Sequence, residues 1–366
     1  MARKRLDPSI FNLPVEKMRA GYYTDTYFNR ARTILELDQH HPIVRMQVFQ
    51  RHEAVLCGID EAIAILKLCS GRAGANGWED GWPQLRVRAL SDGDRIGAYE
   101  TVMTIEGDYS LFAHLETPYL GSLSRRTRIA TNAREIVGAA NGKTVLFFPA
   151  RFDHHLVQTG DGYAAYISGA LGVSTDANAE WWGARGMGTV PHALIAAYGG
   201  DTVLATKKFA ELSEPDVAVI SLVDFDNDCV RTSLQVARAL GDRLWGVRLD
   251  TSGTVVDRSI WNQMGTFAPT GVNPRLVWNV RTALDTEGFS NVKIVVSGGF
   301  TPQRIDEFER KAVPVDAYAV GSAFFAGSGR FDFTADIVAV QQGNGWKECH
   351  KVGRPERPNA RLEAVT

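Results

Sequence analysis

At 366 residues the chain exceeds one average domain, which predicts a large domain with a smaller companion. Its residues are 45% hydrophobic and 22% charged, and its formal net charge of -2 provides no whole-protein field for nucleic acid or an anionic membrane surface. A small anionic ligand would instead need a local cluster of Arg and Lys. The four cysteines, Cys57, Cys69, Cys229 and Cys349, are scattered and form no C-x-x-C pair. That argues against a structural zinc site or a disulfide framework and fits a reducing cytoplasm.

Residues 1–14 (MARKRLDPSIFNLP) are basic but hold no continuous apolar stretch before Pro14, so no signal peptide is expected. The longest apolar runs are strand-length, too short to span a bilayer. Up to about Pro118 the pattern is mixed. Tyr22–Ala31 and Cys57–Cys69 read as helices, the second with Ile59, Ile63 and Leu66 at helical spacing. Gly71–Pro83 reads as a glycine-rich loop, and Leu85–Glu106 as short alternating strands around an Asp92-Gly93 turn. Residues 1–118 are therefore expected to form an α+β domain.

From about Tyr119 the text changes to alternating strands and helices. Strand candidates are Thr144–Phe148, Ala164–Ser168, Val217–Val223, Leu244–Leu249, Val292–Val296 and Ala317–Val320. Most are continuous apolar runs, as parallel strands covered by helices require. Helices are expected at Pro191–Tyr198, Arg231–Leu240, Pro274–Thr286 and Pro302–Arg310. Repeated βα units over residues 119–330 predict a parallel α/β barrel, complete or incomplete, and residues 331–366 a tail returning to the first domain. A doubly wound sheet is the rival, but no G-x-G-x-x-G follows a strand.

The functional signal lies in the residues just after each strand. Val145–Phe148 leads to Pro149-Ala150-Arg151, Val217–Val223 to Asp224-Phe225-Asp226-Asn227-Asp228, and Leu244–Val247 to Arg248-Leu249-Asp250. Val292–Val296 leads to Ser297-Gly298-Gly299, and Ala317–Val320 to Gly321-Ser322. In a parallel barrel these points share one rim, where active sites are built. Glycines there let backbone N–H groups approach an anion, although each pair read alone could merely end a strand. Arg248 and Asp250 share a face, which fits either a structural ion pair or a ligand site. Asp224 and Asp250 beside a sugar could stabilise positive charge at its anomeric carbon and help hold Mg²⁺ on a diphosphate. No G-x-S-x-G and no Cys/His nucleophile pairing is present. His154-His155 and His40-His41 are adjacent in sequence and diverge, so they read as solvated surface rather than shared metal sites.

These blocks resemble the type II phosphoribosyltransferases, specifically the nicotinate enzymes of archaeal and bacterial type. The resemblance runs from about Gly21 to about Pro355 through YYTDTYF (22–28), VFQRHEAVLCGI (48–59), ETPYLGSL (116–123), FFPARFDHH (147–155), GMGTVPHALI (186–195), LVDFDND (222–228), GVRLDTSG (246–253), IVVSGGF (294–300) and VDAYAVGS (315–322). It implies a sandwich-like α+β domain, an incomplete α/β barrel, and a homodimer with shared active sites. The implied substrates are nicotinate and phosphoribosyl pyrophosphate (PRPP), with Mg²⁺, ATP as co-substrate, and no zinc. Phe148 would stack on the pyridine ring and Tyr27 would cover its other face from the partner subunit. Arg248 would pair with the ring carboxylate, Thr189 and Ser168 would be further substrate contacts, and Asp250 would face the ribose and its metal-bound pyrophosphate. Arg151 and Arg51 resemble phosphate contacts, Arg51 from the second subunit, and Gly298, Gly299, Gly321 and Ser322 would hold the 5′-phosphate. His192 matches a histidine that related enzymes phosphorylate with ATP.

The sequence also departs from the pattern. Phe152 stands where the usual nicotinate pattern has a second consecutive arginine. Leu171 stands where nicotinamide-using relatives carry an Asp, which favours an acid substrate. Three other readings stand beside this one. A quinolinate phosphoribosyltransferase shares the fold but demands a denser cationic cluster. A type I phosphoribosyltransferase is disfavoured because no Thr-Gly phosphate turn comes after VISLVDFDND. A non-catalytic paralogue would bind PRPP or a pyridine nucleotide without turnover.

Overall fold

The computed structural model describes residues 5–327 and 331–366. Two compact units emerge, Met1–Thr131 with Gly327–Thr366, and Asn132–Ala326. The expected boundary at residue 330 lies outside the described residues, as do the first four residues of the basic N-terminal segment.

The first unit is built on a six-stranded sheet in the spatial order Gly345–Glu348, Phe333–Gln342, Ile43–Gln50, Thr101–Asp108, Arg86–Ala89 and Glu363–Ala364. All its pairings are antiparallel. The chain's last residues thus supply three of the strands. Helix Ile59–Cys69 packs on this sheet and is buried along most of its length, its Ile59, Ile65 and Leu66 being inaccessible. The apolar residues seen at helical spacing are therefore core residues. Thr26–Leu37 is the first long helix, starting later than the sequence indicates. The glycine-rich segment is not a plain loop. Gly71–Gly74 and Gly77–Asp80 pair as a small hairpin, because Gly71 and Gly77 adopt φ of 134° and 120°, which only glycine takes readily.

Six strands form the sheet of the second unit: β1 (Thr144–Phe147), β2 (Gly172–Val173), β3 (Val219–Leu222), β4 (Leu244–Leu249), β5 (Lys293–Val296) and β6 (Ala317–Val320). Their spatial order is β3-β4-β5-β6-β1-β2 and every pairing is parallel. The last strand in sequence pairs with the first, so the sheet curls round on itself. Among the described residues its one break lies between β2 and β3. The repeated βα units predict a parallel barrel, complete or incomplete, and the break makes it the incomplete form that the family resemblance implies. Residues 187–190 cross the break with two backbone hydrogen bonds, Met187 N–H to Val173 O (2.7 Å) and Val190 N–H to Ile220 O (3.0 Å).

One strand differs from expectation. Ala164–Ser168 is not a strand: Gln158–Ile167 is a helix with Ser168 as its C-cap, and the true second strand is Gly172–Val173. Five apolar residues, Tyr163 to Ile167, suit either state by pattern alone, and alanine favours the helix. Gly162 settles its packing, because a Cβ there would lie 2.1 Å from the Asn178 carbonyl oxygen. Among the described residues no helix is long and apolar enough to cross a membrane.

These contacts set two stability measurements. Gly162→Ala should cost about 1–3 kcal/mol through overpacking. Gly121→Ala, in helix Glu116–Ala139 with nothing near its Cβ, should be neutral or stabilise by up to about 1 kcal/mol. Thermal unfolding of the two variants side by side checks the difference. Burial, with the charges of Asp336 and Asp25, pushes the Glu116 carboxyl up from 4.5 to about 8. A carboxyl that holds its proton more tightly when folded withdraws stability as pH rises from its unfolded value to its folded one. Glu116→Gln should therefore match the parent below pH 4.5 and exceed it increasingly up to pH 8, as read from melting temperatures across that range.

Candidate active site

The C-terminal ends of the barrel strands surround a cleft of about 730 Å³, well within the range of small-molecule sites. Five of the six strands contribute what the chain places just after them, β3 being the exception. β1 delivers Phe148, whose N–H bonds Val320 O at 2.8 Å, followed by Arg151 and Phe152 on a short turn. Ser174 and Thr175 come after β2, and the segment crossing the break brings Met187, Gly188 and Thr189. Arg248 and Asp250 come from the end of β4, Ser297, Gly298 and Gly299 from β5, and Gly321 and Ser322 from β6. His192 opens the short helix His192–Ala197 and also lines the cleft.

A line of polar contacts runs across the floor. Arg248 donates through Nη1 to Thr189 Oγ1 (2.7 Å) and through Nη2 to Asp250 Oδ2 (3.3 Å). Asp250 Oδ1 accepts from Ser297 Oγ at 2.6 Å. Both ends of this carboxylate are therefore fixed, and so is the plane of the guanidinium. Two polar atoms on this wall, Arg248 Nε and Ser174 Oγ, are buried with no hydrogen-bond partner among the described residues. Unsatisfied buried donors are rare in folded proteins and mark places where an acceptor is missing. Phe148 packs half-buried against Leu146, Ile220, Val295 and Ala319 in the barrel interior and turns an aromatic surface to the cleft.

Gly298 and Gly299 have φ of 90° and 77°, a left-handed pair that strains any other residue. Gly321 is needed for space instead: a Cβ there would lie 2.7 Å from the Phe152 ring. Phe152, standing where the pattern has an arginine, thus covers the glycine turn with an aromatic face, and the Arg151 guanidinium lies 5.7 Å over that ring.

Asp224 sits behind the cleft rather than in it. Its carboxylate faces His192 Nε2 at 3.1 and 3.2 Å, and its side chain is only 8% exposed. Burial pushes the Asp224 carboxyl up from its ordinary value, the His192 ring draws it down, and the charge on Asp250 adds to the rise. Its place corrects the sequence reading of Asp224 as a carboxylate beside the sugar, and makes it the partner that orients His192. Ser168 is likewise displaced: it caps a helix, is 2% exposed, and does not line the cleft. Leu171 is 74% exposed and is not a lining residue. Ser174 and Thr175, a few residues further on, stand where it was expected to act. Tyr27 and Arg51 belong to the first unit, where both are exposed, and neither lines the cleft. Sequence reasoning misses Ser174 and Met187, and names Ser297 only as part of the Ser-Gly-Gly turn.

Among the described residues no three His, Cys, Asp or Glu side chains gather into a ready-made metal site. Mg²⁺ held on a diphosphate needs only one or two carboxylates, the remaining ligands being phosphate oxygens and water. Asp250 on the cleft wall suits that role. Cys57, Cys69 and Cys229 are buried and Cys349 is exposed, all as free thiols. As a check on the glycine turn, Gly298→Ala should cost about 1–2 kcal/mol. Gly253→Ala, which meets nothing within 4 Å, should leave the melting temperature unchanged.

Comparison with known proteins accords with this geometry. A family profile described as quinolinate phosphoribosyl transferase, N-terminal domain, matches residues 25–127. The nicotinate phosphoribosyltransferase pncB1 of Mycobacterium tuberculosis is 30% identical over 294 residues, covering 76% of this chain and 58% of that protein. The nicotinate phosphoribosyltransferase of Bacillus subtilis is 24% identical, covering 64% and 44%. The chain therefore spans about half the length of these curated relatives. A crystal structure of nicotinate-nucleotide pyrophosphorylase from Pyrococcus furiosus superposes with a TM-score of 0.78 at 33% identity, covering 96% of this chain and 85% of that one. Human nicotinic acid phosphoribosyltransferase, at 16% identity and a TM-score of 0.65, shares the fold. With a relative that similar over nearly its whole length, the chain belongs to the type II phosphoribosyltransferase family of nicotinate and quinolinate phosphoribosyltransferases.

Proposed function

We propose that this protein is a nicotinate phosphoribosyltransferase, forming nicotinate mononucleotide and pyrophosphate from nicotinate and PRPP in the cytoplasm as a step of NAD biosynthesis. The observation that carries the reading is Arg248, held rigid by Thr189 and Asp250 with its Nε unsatisfied, beside the aromatic surface of Phe148. A flat ring bearing one carboxylate suits that corner: Phe148 takes the face and Arg248 the charge. Asp250 then faces the ribose. Gly298, Gly299, Gly321 and Ser322 offer backbone groups to the 5′-phosphate, with Arg151 nearby.

The pyridine nitrogen is itself the nucleophile, so no general base is required, in keeping with the missing triad. The demanding feature is positive charge developing at the anomeric carbon as pyrophosphate leaves. A fixed carboxylate stabilises that charge most when it needs no reorganisation, and Asp250 is held by two donors. Mg²⁺ bound to the pyrophosphate with Asp250 would neutralise the leaving group.

His192 supports coupling to ATP. Its Nε2 faces the Asp224 carboxylate, which favours the tautomer protonated there and leaves the Nδ1 lone pair free. We infer that Nδ1 attacks the γ-phosphorus of ATP with ADP departing, and that water later removes the phosphoryl group. Tyr27 and Arg51, exposed on the first unit, would complete the site of a second copy in a homodimer.

Quinolinate is the alternative substrate, given the printed names of the family profile and of the Pyrococcus protein. It carries a second carboxylate beside the ring nitrogen, yet among the described residues the only Arg or Lys side chains lining the cleft are Arg151 and Arg248. That favours nicotinate. The deciding experiment is pyrophosphate release with PRPP and Mg²⁺, offering nicotinate, nicotinamide and quinolinate separately, each with and without ATP. Nicotinate alone should be turned over. Turnover of quinolinate instead would reject the assignment, and ligand binding without any release would indicate a non-catalytic paralogue. Asp250→Ala should reduce kcat by at least about 10²–10³-fold while the protein stays folded. His192→Ala should abolish ATP stimulation while slow basal synthesis persists.

A further inference from the structure

A second cleft, of about 760 Å³, opens on the barrel unit away from the catalytic residues. Asn273, Arg275 and Trp278, at the start of helix Pro274–Thr286, line it on one side. Arg304 and Glu307 of helix Pro302–Arg310, with Lys311 just beyond, line it on another. Neighbouring barrel helices ordinarily pack against each other at about 8–10 Å. Here a space as large as the catalytic cleft stands among their residues.

Its charge is lopsided. Three cations face one acid, and that acid, Glu307, is already paired with Lys311. Arg275 is exposed and has no hydrogen-bond or ion-pair partner among the described residues. Arg304 is more deeply set, yet its guanidinium bonds only main-chain carbonyls: Gly298 (2.9 Å) and Gly299 (3.4 Å) through Nη1, and Val272 through Nη2. Its guanidinium also lies 4.6 Å from the centre of the Phe300 ring, and the nearest compensating charge, Glu307, is shared with Lys311, which leaves this corner of the cleft short of negative charge. Burial depresses the Arg304 pKa, and the charge on Glu307 offsets that only in part. Beside these cations Trp278 leaves 45% of its surface exposed, a flat platform on which a base can stack.

We propose that this second cleft binds a nucleoside phosphate, with the base on Trp278 and the phosphates between Arg275, Lys311 and Arg304. Because Arg304 also holds the carbonyls of Gly298 and Gly299, a bound phosphate drawing on its guanidinium loosens the glycine turn of the catalytic cleft. The second site thereby reports to the first without touching it.

The test is calorimetric titration of the full chain with ADP, adenosine and pyrophosphate as separate probes. ADP should bind at least 10-fold more tightly than either fragment. Its affinity should fall at least 10-fold in the exposed double variant Arg275→Glu/Lys311→Glu, and at least 3-fold in Trp278→Ala. The double variant Arg151→Ala/Arg248→Ala, which removes both cations lining the catalytic cleft, should retain this binding. Hydrogen exchange at the Gly298–Phe300 amides should quicken when ADP is bound. The idea is overturned if ADP affinity ignores Arg275→Glu/Lys311→Glu or vanishes with Arg151→Ala/Arg248→Ala. It is equally overturned if Trp278→Ala changes only the oligomeric state, which would make the cleft an interface between copies. These are binding readouts, so failure of the synthesis assay would remove the enzymatic reading and leave this one standing.

Discussion

Everything in the catalytic cleft is referred to the carboxylate of Asp250. It is the counter-ion that lets the Arg248 guanidinium sit with its side chain only 16% exposed, and it accepts from Ser297 on the neighbouring strand. A half-buried ion pair of this kind adds little net stability, because desolvation offsets most of the Coulombic gain. What it supplies is orientation. Arg248 and Asp250 share one face of β4 because they lie two residues apart, and Thr189 and Ser297 clamp the pair from either side. Loss of Arg248 or Asp250 would free two others, and loss of Thr189 or Ser297 one, so the cleft is held as a unit.

The barrel explains why these residues can meet at all. Phe148, Arg248 and Gly321 lie far apart along the chain, yet parallel pairing brings every strand end to one rim. The pairing of β6 with β1 is decisive, since it sets Phe148 beside Val320 and so beside the Gly321 turn. Phe152 then exploits the missing side chain of Gly321 to lay its ring over the turn. An aromatic replaces a charge at that point, and Arg151 becomes the cation serving that side of the cleft.

Much of this is legible in sequence because the physics is local. Pro274–Thr286 and Pro302–Arg310 carry proline at the first helical turn behind the side-chain caps Asn273 and Thr301, so the expected and observed bounds of both helices coincide. The apolar runs of β4 and β6 are equally plain. Gly172–Val173 is not, since two residues cannot display a period, and the apolar run at Tyr163 to Ile167 stands nearby as a more persuasive strand. That error puts Ser168 at a strand end instead of a helix C-cap and hides Ser174, which comes just after the true strand. Asp224 is misplaced for another reason. A strand end fixes where a residue is, but only the packing of His192 against it decides whether the carboxylate faces ligand or histidine.

The break between β2 and β3 has a mechanical consequence. Elsewhere the barrel wall is closed by continuous strand ladders, but here, among the described residues, two backbone bonds from Met187 and Val190 stand in for a ladder, beside the side-chain bonds of Thr189 to Arg248 and His192 to Asp224. That strip also bears Thr189 and leads directly into His192. A cylinder with one thinly sewn seam yields at the seam first, so any change in girth would be felt by these two side chains before the rest of the rim. The residue that steadies Arg248 and the histidine oriented by Asp224 thus ride on the panel of the wall that no strand ladder closes.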